Sequence, residues 1–467
     1  MQRWMGRLAA GVLVLCSGMA QALDLHGLKP GEVAVWAAPV EGGAPLVEHR
    51  ADAAMNPAST MKLVTSYAAL GRLGPGYRWT TRLVSAAPIV DGVLQGDLYW
   101  VGSGDPRFDQ RDLIELAGEL RRRGIREIAG RLLLDRSVWS GTGRADDFDG
   151  DAERAFMVAP DPQLTNLKVA WLAFYNDELG PRVALDPALP GVSLSAKLSD
   201  GGAGACGDVR NRVAIRTAGD SISVSGQLPQ ACDGARAFVN VLAPTEFARQ
   251  SFAAAWRELG GTGPAGFGTA VAPAGAPVLA SHDSEPLLDT LYYTNKYSNN
   301  TMARTLFLTL GHEEAPGSDT PAAAERAVRR TLVEAGISDA PLVLENGAGL
   351  SRRERVSARL LGQVLLAAAR GPYAGEFMAS LPIAGEDGTL KKRFADVGSR
   401  LRMKTGTLKD VRALAGYWLA PSGQRLAIVV IVNGPRALQQ TAAMDDIVAD
   451  LIAQAGPHCC AGMAGGQ

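Results

Sequence analysis

The chain has 467 residues, 47% of them hydrophobic and 20% charged, so it can bury a large core, and its length suggests two or three domains. Lys plus Arg number 47 against 48 for Asp plus Glu. No run of like charge is long enough for a nucleic-acid stripe or a polybasic membrane arm, so disordered, fibrous and nucleic-acid-binding classes are set aside. Only nine of the cations are Lys, which makes any motif built on a Lys stand out.

At the N-terminus, Arg3 and Arg7 precede an apolar run over 8–16, and Ala20-Gln21-Ala22 supplies the small residues read before a signal-peptidase cut. Residues 1–22 are therefore expected to be an export signal that sends the protein to the periplasm or cell-wall space. The run is short for a span, and no later window reaches about 18 uninterrupted apolar residues; an uncleaved anchor is the alternative. Leu15 is bulkier than the small residue that precedes a lipidated Cys, which argues against lipidation at Cys16. Cys206, Cys232, Cys459 and Cys460 remain after cleavage, in no CxxC or Cys/His arrangement, so neither a metal nor another cofactor is expected. In an oxidising compartment Cys206 and Cys232, both in a Gly-rich, turn-rich stretch, are expected to close a loop.

Residues 32–38 and 45–49 read as a hairpin. Asn56-Pro57 is a cap and first helical position for a helix over 58–70, with Gly71 and Gly74 closing it. The next 190 or so residues carry short strands such as 93–101 and 213–217, one helix near 111–122, and turn-rich segments at 140–151 and 200–208. Helical periodicity returns at 286–295, 299–310, 322–335 and 356–369. Strands follow at 400–404, 411–420 and 426–432, separated by turns at Gly406 and Pro421-Ser422-Gly423, and a last helix spans about 440–455. This order predicts one α/β layer domain made of 23–82 and 272–458, an antiparallel sheet with helices whose first and last parts meet. A large strand-rich insertion over 83–271 interrupts it, and 459–467 form a tail.

Three strings carry the chemistry: Ser59-Thr60-Met61-Lys62, Ser298-Asn299-Asn300 and Lys404-Thr405-Gly406. Each alone is weak. From the chain's own composition, all three in this order would arise by chance at about 0.002. A serine hydroxyl is a weak nucleophile until a base within hydrogen-bond reach takes its proton. On a helix Ser59 and Lys62 share a face. An ordinary Lys is charged at neutral pH, so burial and a neighbouring cation, Lys404, are expected to lower the pKa of Lys62. Ser298 and Asn300, at alternate positions opening a helix, direct a hydroxyl and an amide to one cleft. Lys404 and Thr405 at a strand end suit an anionic substrate terminus, and Gly406 leaves the strand edge unobstructed.

The trio resembles that of the penicillin-binding proteins and serine β-lactamases, whose SxxK, SxN and KTG elements come in this order. Gly102-Ser103-Gly104-Asp105-Pro106, the string ENGAGLSR over 345–352, LPIAGEDGTL over 381–390 and KTGTL over 404–408 narrow the likeness. They resemble the class C low-molecular-mass penicillin-binding proteins, the DacB-type D-alanyl-D-alanine carboxypeptidases and endopeptidases. That family inserts extra domains between its first two motifs, as the long gap from Ser59 to Ser298 requires. The resemblance implies a serine peptidase of peptidoglycan stem peptides, inhibited by β-lactams, with at most loose membrane or wall association. It implies that Ser59 is acylated, Lys62 is the base, Ser298 passes a proton to the leaving amine, and Asn300 holds the acyl amide. Lys404 and Thr405 would bind the terminal carboxylate, the Ser59 and Thr407 N–H groups would form the oxyanion hole, and Arg352 would help bind the stem peptide. Ala348 and Arg304 depart from the family's usual Ser and acidic residue.

Two rivals stand beside this reading. A β-lactamase of the same fold needs a water-activating group, and no ExxLN-like string is present. A non-enzymatic wall-binding scaffold has no need of the intact trio. Asp387-Gly388 reads as a turn rather than a site, and the five His show no pairing with a Ser and an acid.

Overall fold

The computed structural model describes residues 23–143 and 157–461. The expected export signal, most of the turn-rich segment at 140–151 and the last six residues of the tail lie outside the described residues.

Alternation of side chains builds the core. In the strand Val33–Pro39, six consecutive residues are buried, with Val33, Val35 and Ala37 entering one apolar cluster and Ala34, Trp36 and Ala38 another. A strand buried on both faces belongs inside a sheet. The sheet order is Leu401–Leu408, Val411–Leu419, Arg425–Asn433, Val33–Pro39, Val47–His49, antiparallel throughout. The first and last parts of the chain therefore meet, Val35 lying opposite Val430. The helix Thr441–Ala461 covers one face through Met444, Ile447, Val448 and Leu451. The helices Met61–Leu73, Asn300–Glu314 and Ala358–Arg370 contribute to the other cluster. Gly362 is required there, since a Cβ would lie 2.1 Å from the Trp36 ring.

The intervening stretch forms separate sheets. Gly266–Thr269, Arg131–Asp135, Leu98–Val101, Thr80–Val84 and Val278–Asp283 make one five-stranded sheet, packed against the helices Gln110–Arg122 and Pro244–Glu258; its last two strands reach beyond the expected 83–271, to Thr80 on one side and Asp283 on the other. Two three-stranded sheets share a smaller core with Cys232, which forms a disulfide with Cys206. Contacts to the body built on the first sheet include Thr301 Oγ1 donating to the Val158 carbonyl at 2.8 Å and Ser140 N donating to Thr320 Oγ1 at 2.8 Å.

Several elements differ from expectation. The Asn56 side chain accepts from Ala58 N, but the first turn, Ala58–Thr60, is a 3-10 turn entered through Ala58 at φ +45, and the α-helix begins only at Met61. Gly71 lies inside that helix; Gly74, at φ +78, ends it. Gly406 is not a turn but the middle of Leu401–Leu408, opposite Ala413, because a Cβ there would stand 2.6 Å from the Pro57 carbonyl. The expected strand 93–101 is two, Val93–Leu94 and Leu98–Val101. Where one helix was expected in the intervening stretch the structure has a second, Pro244–Glu258, which divides its aromatic residues between two cores, Phe252 and Trp256 in one and Phe247 in the other.

Candidate active site

Ser59 sits half-buried on the 3-10 turn, one turn before Lys62 on the helix that follows. Lys62 has no solvent exposure. Its ammonium donates to three acceptors: Ser59 Oγ at 3.1 Å, Asn300 Oδ1 at 2.7 Å and the Ala348 carbonyl at 2.5 Å. All three donors of a lysine are thereby used. Burial pulls its pKa down to about 7, against the raising effect of the buried Glu354 carboxylate.

The second half of the trio forms its own cluster. Lys404, equally buried, donates to Ser298 Oγ and to the Thr405 carbonyl, each at 2.8 Å. Burial, and then the charge of Lys62, hold its pKa well below the ordinary lysine value. The expected influence of one cation on the other thus falls on Lys404, while Lys62 is set chiefly by desolvation. Ser298 adopts φ +57, and Asn299 caps the next helix by accepting from Met302 N. That left-handed bend lets Ser298 face Lys404 while Asn300, two residues on, faces Lys62.

Close backbone approach holds the two clusters together. Gly406 packs on Pro57 and Ala58, setting exposed Thr407 beside the Ser59 turn. Gly349, at φ +76, lies so near Ala58 that a Cβ would stand 1.7 Å from its carbonyl oxygen. The 346–350 loop is shaped from within: Asn346 Oδ1 accepts from Ala348 N, its Nδ2 donates to the Leu350 carbonyl, and Glu354 Oε1 accepts from Glu345 N and Asn346 N. This loop explains why Ala at 348 is tolerated, since Lys62 uses the carbonyl and not the side chain. Arg304, the other departure, is buried, with its Nε unpaired among the described residues, and burial lowers its pKa to about 10.

Arg352 is exposed just past this loop. Sequence reasoning missed Glu354, Asn295 and Lys296. Asn295 Nδ2 donates to Ser66 Oγ at 3.0 Å and Ser380 Oγ at 2.9 Å, and Lys296 pairs with Asp387 at 2.5 Å. Their adjacency to the SxN string was the available signal. Asp387 does make the expected turn, accepting from Ile383 N.

A serine beside a buried lysine whose pKa is lowered to about 7, with a second hydroxyl–lysine pair and an amide facing the same cleft, is the equipment of acyl transfer through a serine nucleophile. Fold and site together define a penicillin-binding serine peptidase. Residues 19–454 match the model of the D-Ala-D-Ala carboxypeptidase 3 (S13) family, and the chain belongs to that family. A D-alanyl-D-alanine carboxypeptidase of an Actinomadura species is 33% identical over 422 residues, 86% of this chain and 77% of that one. The crystal structure of penicillin binding protein 4 (dacB) from Haemophilus influenzae superposes with a TM-score of 0.73 at 25% identity, covering 90% of this chain and 96% of that one. Its complex with a β-lactam gives 0.69 at 25% identity, with 91% and 96% covered. The protein is a serine-type D-Ala-D-Ala peptidase acting on peptidoglycan.

Proposed function

We propose that Ser59 is the residue acylated, in a carboxypeptidase and/or endopeptidase reaction at the D-Ala end of stem peptides. The observation that carries this is the fully buried Lys62 ammonium 3.1 Å from Ser59 Oγ. Neutral Lys62 takes the hydroxyl proton as Ser59 Oγ bonds to the carbonyl carbon of the penultimate D-Ala. The N–H groups of Ser59 and Thr407 hold the oxyanion. The C–N bond breaks as Ser298 gives its proton to the leaving amine and takes one from the Lys404 ammonium that donates to it; in the hydrolysis that follows, water returns a proton to Lys404 and Lys62 returns the other to Ser59 Oγ. Asn300 orients Lys62 and the acyl amide, Lys404 and Thr405 receive the terminal carboxylate, and Arg352 contacts the peptide. Water then hydrolyses the ester. A β-lactam enters the first step as a mimic of the D-Ala-D-Ala end.

In the same reading, residues 1–22 export the chain to the periplasm or cell-wall space, where its substrate lies. Among the described residues no helix is long and apolar enough to cross a membrane, which is compatible with loose wall or membrane association. Residues 83–271 act as an inserted accessory unit. The test is intact-mass measurement after brief benzylpenicillin exposure. A stable adduct on wild type and none on Ser59→Ala is expected. Equal adducts on both would remove Ser59, and rapid penicillin consumption without an adduct would favour a β-lactamase.

A further inference from the structure

The string LPIAGEDGTL contributes more than a turn. Its first part runs along the edge of Leu401–Leu408, with Met403 N donating to the Pro382 carbonyl at 3.1 Å and Ala384 N to the Leu401 carbonyl at 3.0 Å. The chain then folds over the segment that carries Ser298. Gly388, at φ +53, presses so closely that a Cβ would stand 2.4 Å from the Lys296 carbonyl oxygen. Asp387 is fixed on two sides, Oδ1 accepting from Ile383 N at 2.7 Å and Oδ2 from Lys296 Nζ at 2.5 Å. The Lys296 side chain is 1% exposed and that of Asp387 29%, so the loop is tied from its half-buried carboxylate to a buried cation. The residue delivered at its tip is Thr389, exposed, with Oγ1 2.8 Å from Thr405 Oγ1.

We propose that Thr389 is a second hydroxyl donor to the substrate's C-terminal carboxylate, paired with Thr405, and that the Lys296–Asp387 ion pair is the positioning element that delivers it. An ionised carboxylate only accepts hydrogen bonds and has two oxygens to satisfy. Two hydroxyls 2.8 Å apart spend one proton between them when the site is empty. Both can turn outward once an anion arrives. Lys404 already donates to Ser298 Oγ and the Thr405 carbonyl, which leaves at most one of its three donors for the carboxylate and the rest of its recognition to hydroxyl donors. The ligand class is an amino acid or peptide with a free α-carboxylate.

This inference rests on Thr405 facing that carboxylate, and the experiment separates the two. The specificity ratio is kcat/KM for an acyl-D-Ala-D-Ala peptide divided by that for its C-terminal amide. Charge-assisted hydrogen bonds set the scale: Thr389→Val is expected to lower the ratio about tenfold, mainly through KM, and Thr389→Ser to hold it within about twofold. Asp387→Asn is expected to lower it partway, and the double variant Asp387→Asn/Thr389→Val no further than Thr389→Val alone. An unchanged ratio in Thr389→Val, or equal losses on both peptides, would overturn the role of Thr389. Additive losses in the double variant would overturn the positioning role of Asp387. A wild-type ratio near one would overturn the carboxylate reading itself and this inference with it.

Discussion

Two strands of similar length show how differently the catalytic body and the intervening lobe are held. Arg425–Asn433 has seven consecutive buried residues between half-buried ends, whereas Ser193–Asp200 has no buried residue at all. The first is covered on both faces, so its register is specified twice over. The second belongs to a thin three-stranded sheet over a small core, where the Cys206–Cys232 disulfide supplies a covalent tie. The two lysines of the candidate site, Lys62 and Lys404, lie in the first region with no exposure, where packing fixes side chains closely.

Perturbing the body should cost chemistry, and perturbing the lobe should cost only stability. The largest effect is expected for Lys62→Met, which keeps the buried volume and removes the base: acylation by penicillin and release of D-Ala should each slow by about 10³-fold, followed by stopped-flow and product assay. Gly349→Ala forces the loop off the Ala58 carbonyl and misplaces the Ser59 turn, so kcat should fall by about 10²-fold. Thermal unfolding would report an accompanying loss of about 1–3 kcal/mol. In the lobe, replacing Cys206 and Cys232 together by Ser should cost about 3 kcal/mol, seen as a lower melting transition, while kcat on a short peptide stays within about twofold. Loss of peptidase activity in that variant would break the division between the two regions. The smallest effect concerns pH. Lys62 must be neutral to act, so kcat/KM should fall about tenfold per unit below its pKa near 7. The buried Glu354 carboxylate raises that pKa, so Glu354→Gln should move the acidic limb to lower pH, and a shift the other way would refute the coupling.

What the sequence disclosed follows the same division. Ser59, Lys62, Ser298, Asn300 and Lys404 are side chains at short spacings, and the apolar runs that anchor them were visible as strands and helices. Lys296 was overlooked despite its place beside the SxN string, because its partner Asp387 lies on a distant segment, and Glu354 because it holds backbone N–H groups of a nearby loop, which leave no side-chain signal. The Ala348 carbonyl that accepts from Lys62 is backbone and has no side-chain signal. Gly406 was misread because a glycine in a strand looks like a turn until the Pro57 carbonyl is seen across from it. The lobe's small sheets, with strands exposed on one side, gave weak alternation and correspondingly incomplete elements.

The meeting of Val33–Pro39 with Arg425–Asn433 also governs when the enzyme becomes active. Asn56, three residues before Ser59, exchanges hydrogen bonds with Asn433, 377 residues later. Ser59 is made early in synthesis but this support arrives late, so a nascent chain carries no assembled site. Such distant pairings also slow folding. Assembly of the site therefore waits for residues near the far end of the chain, a timing set by chain order.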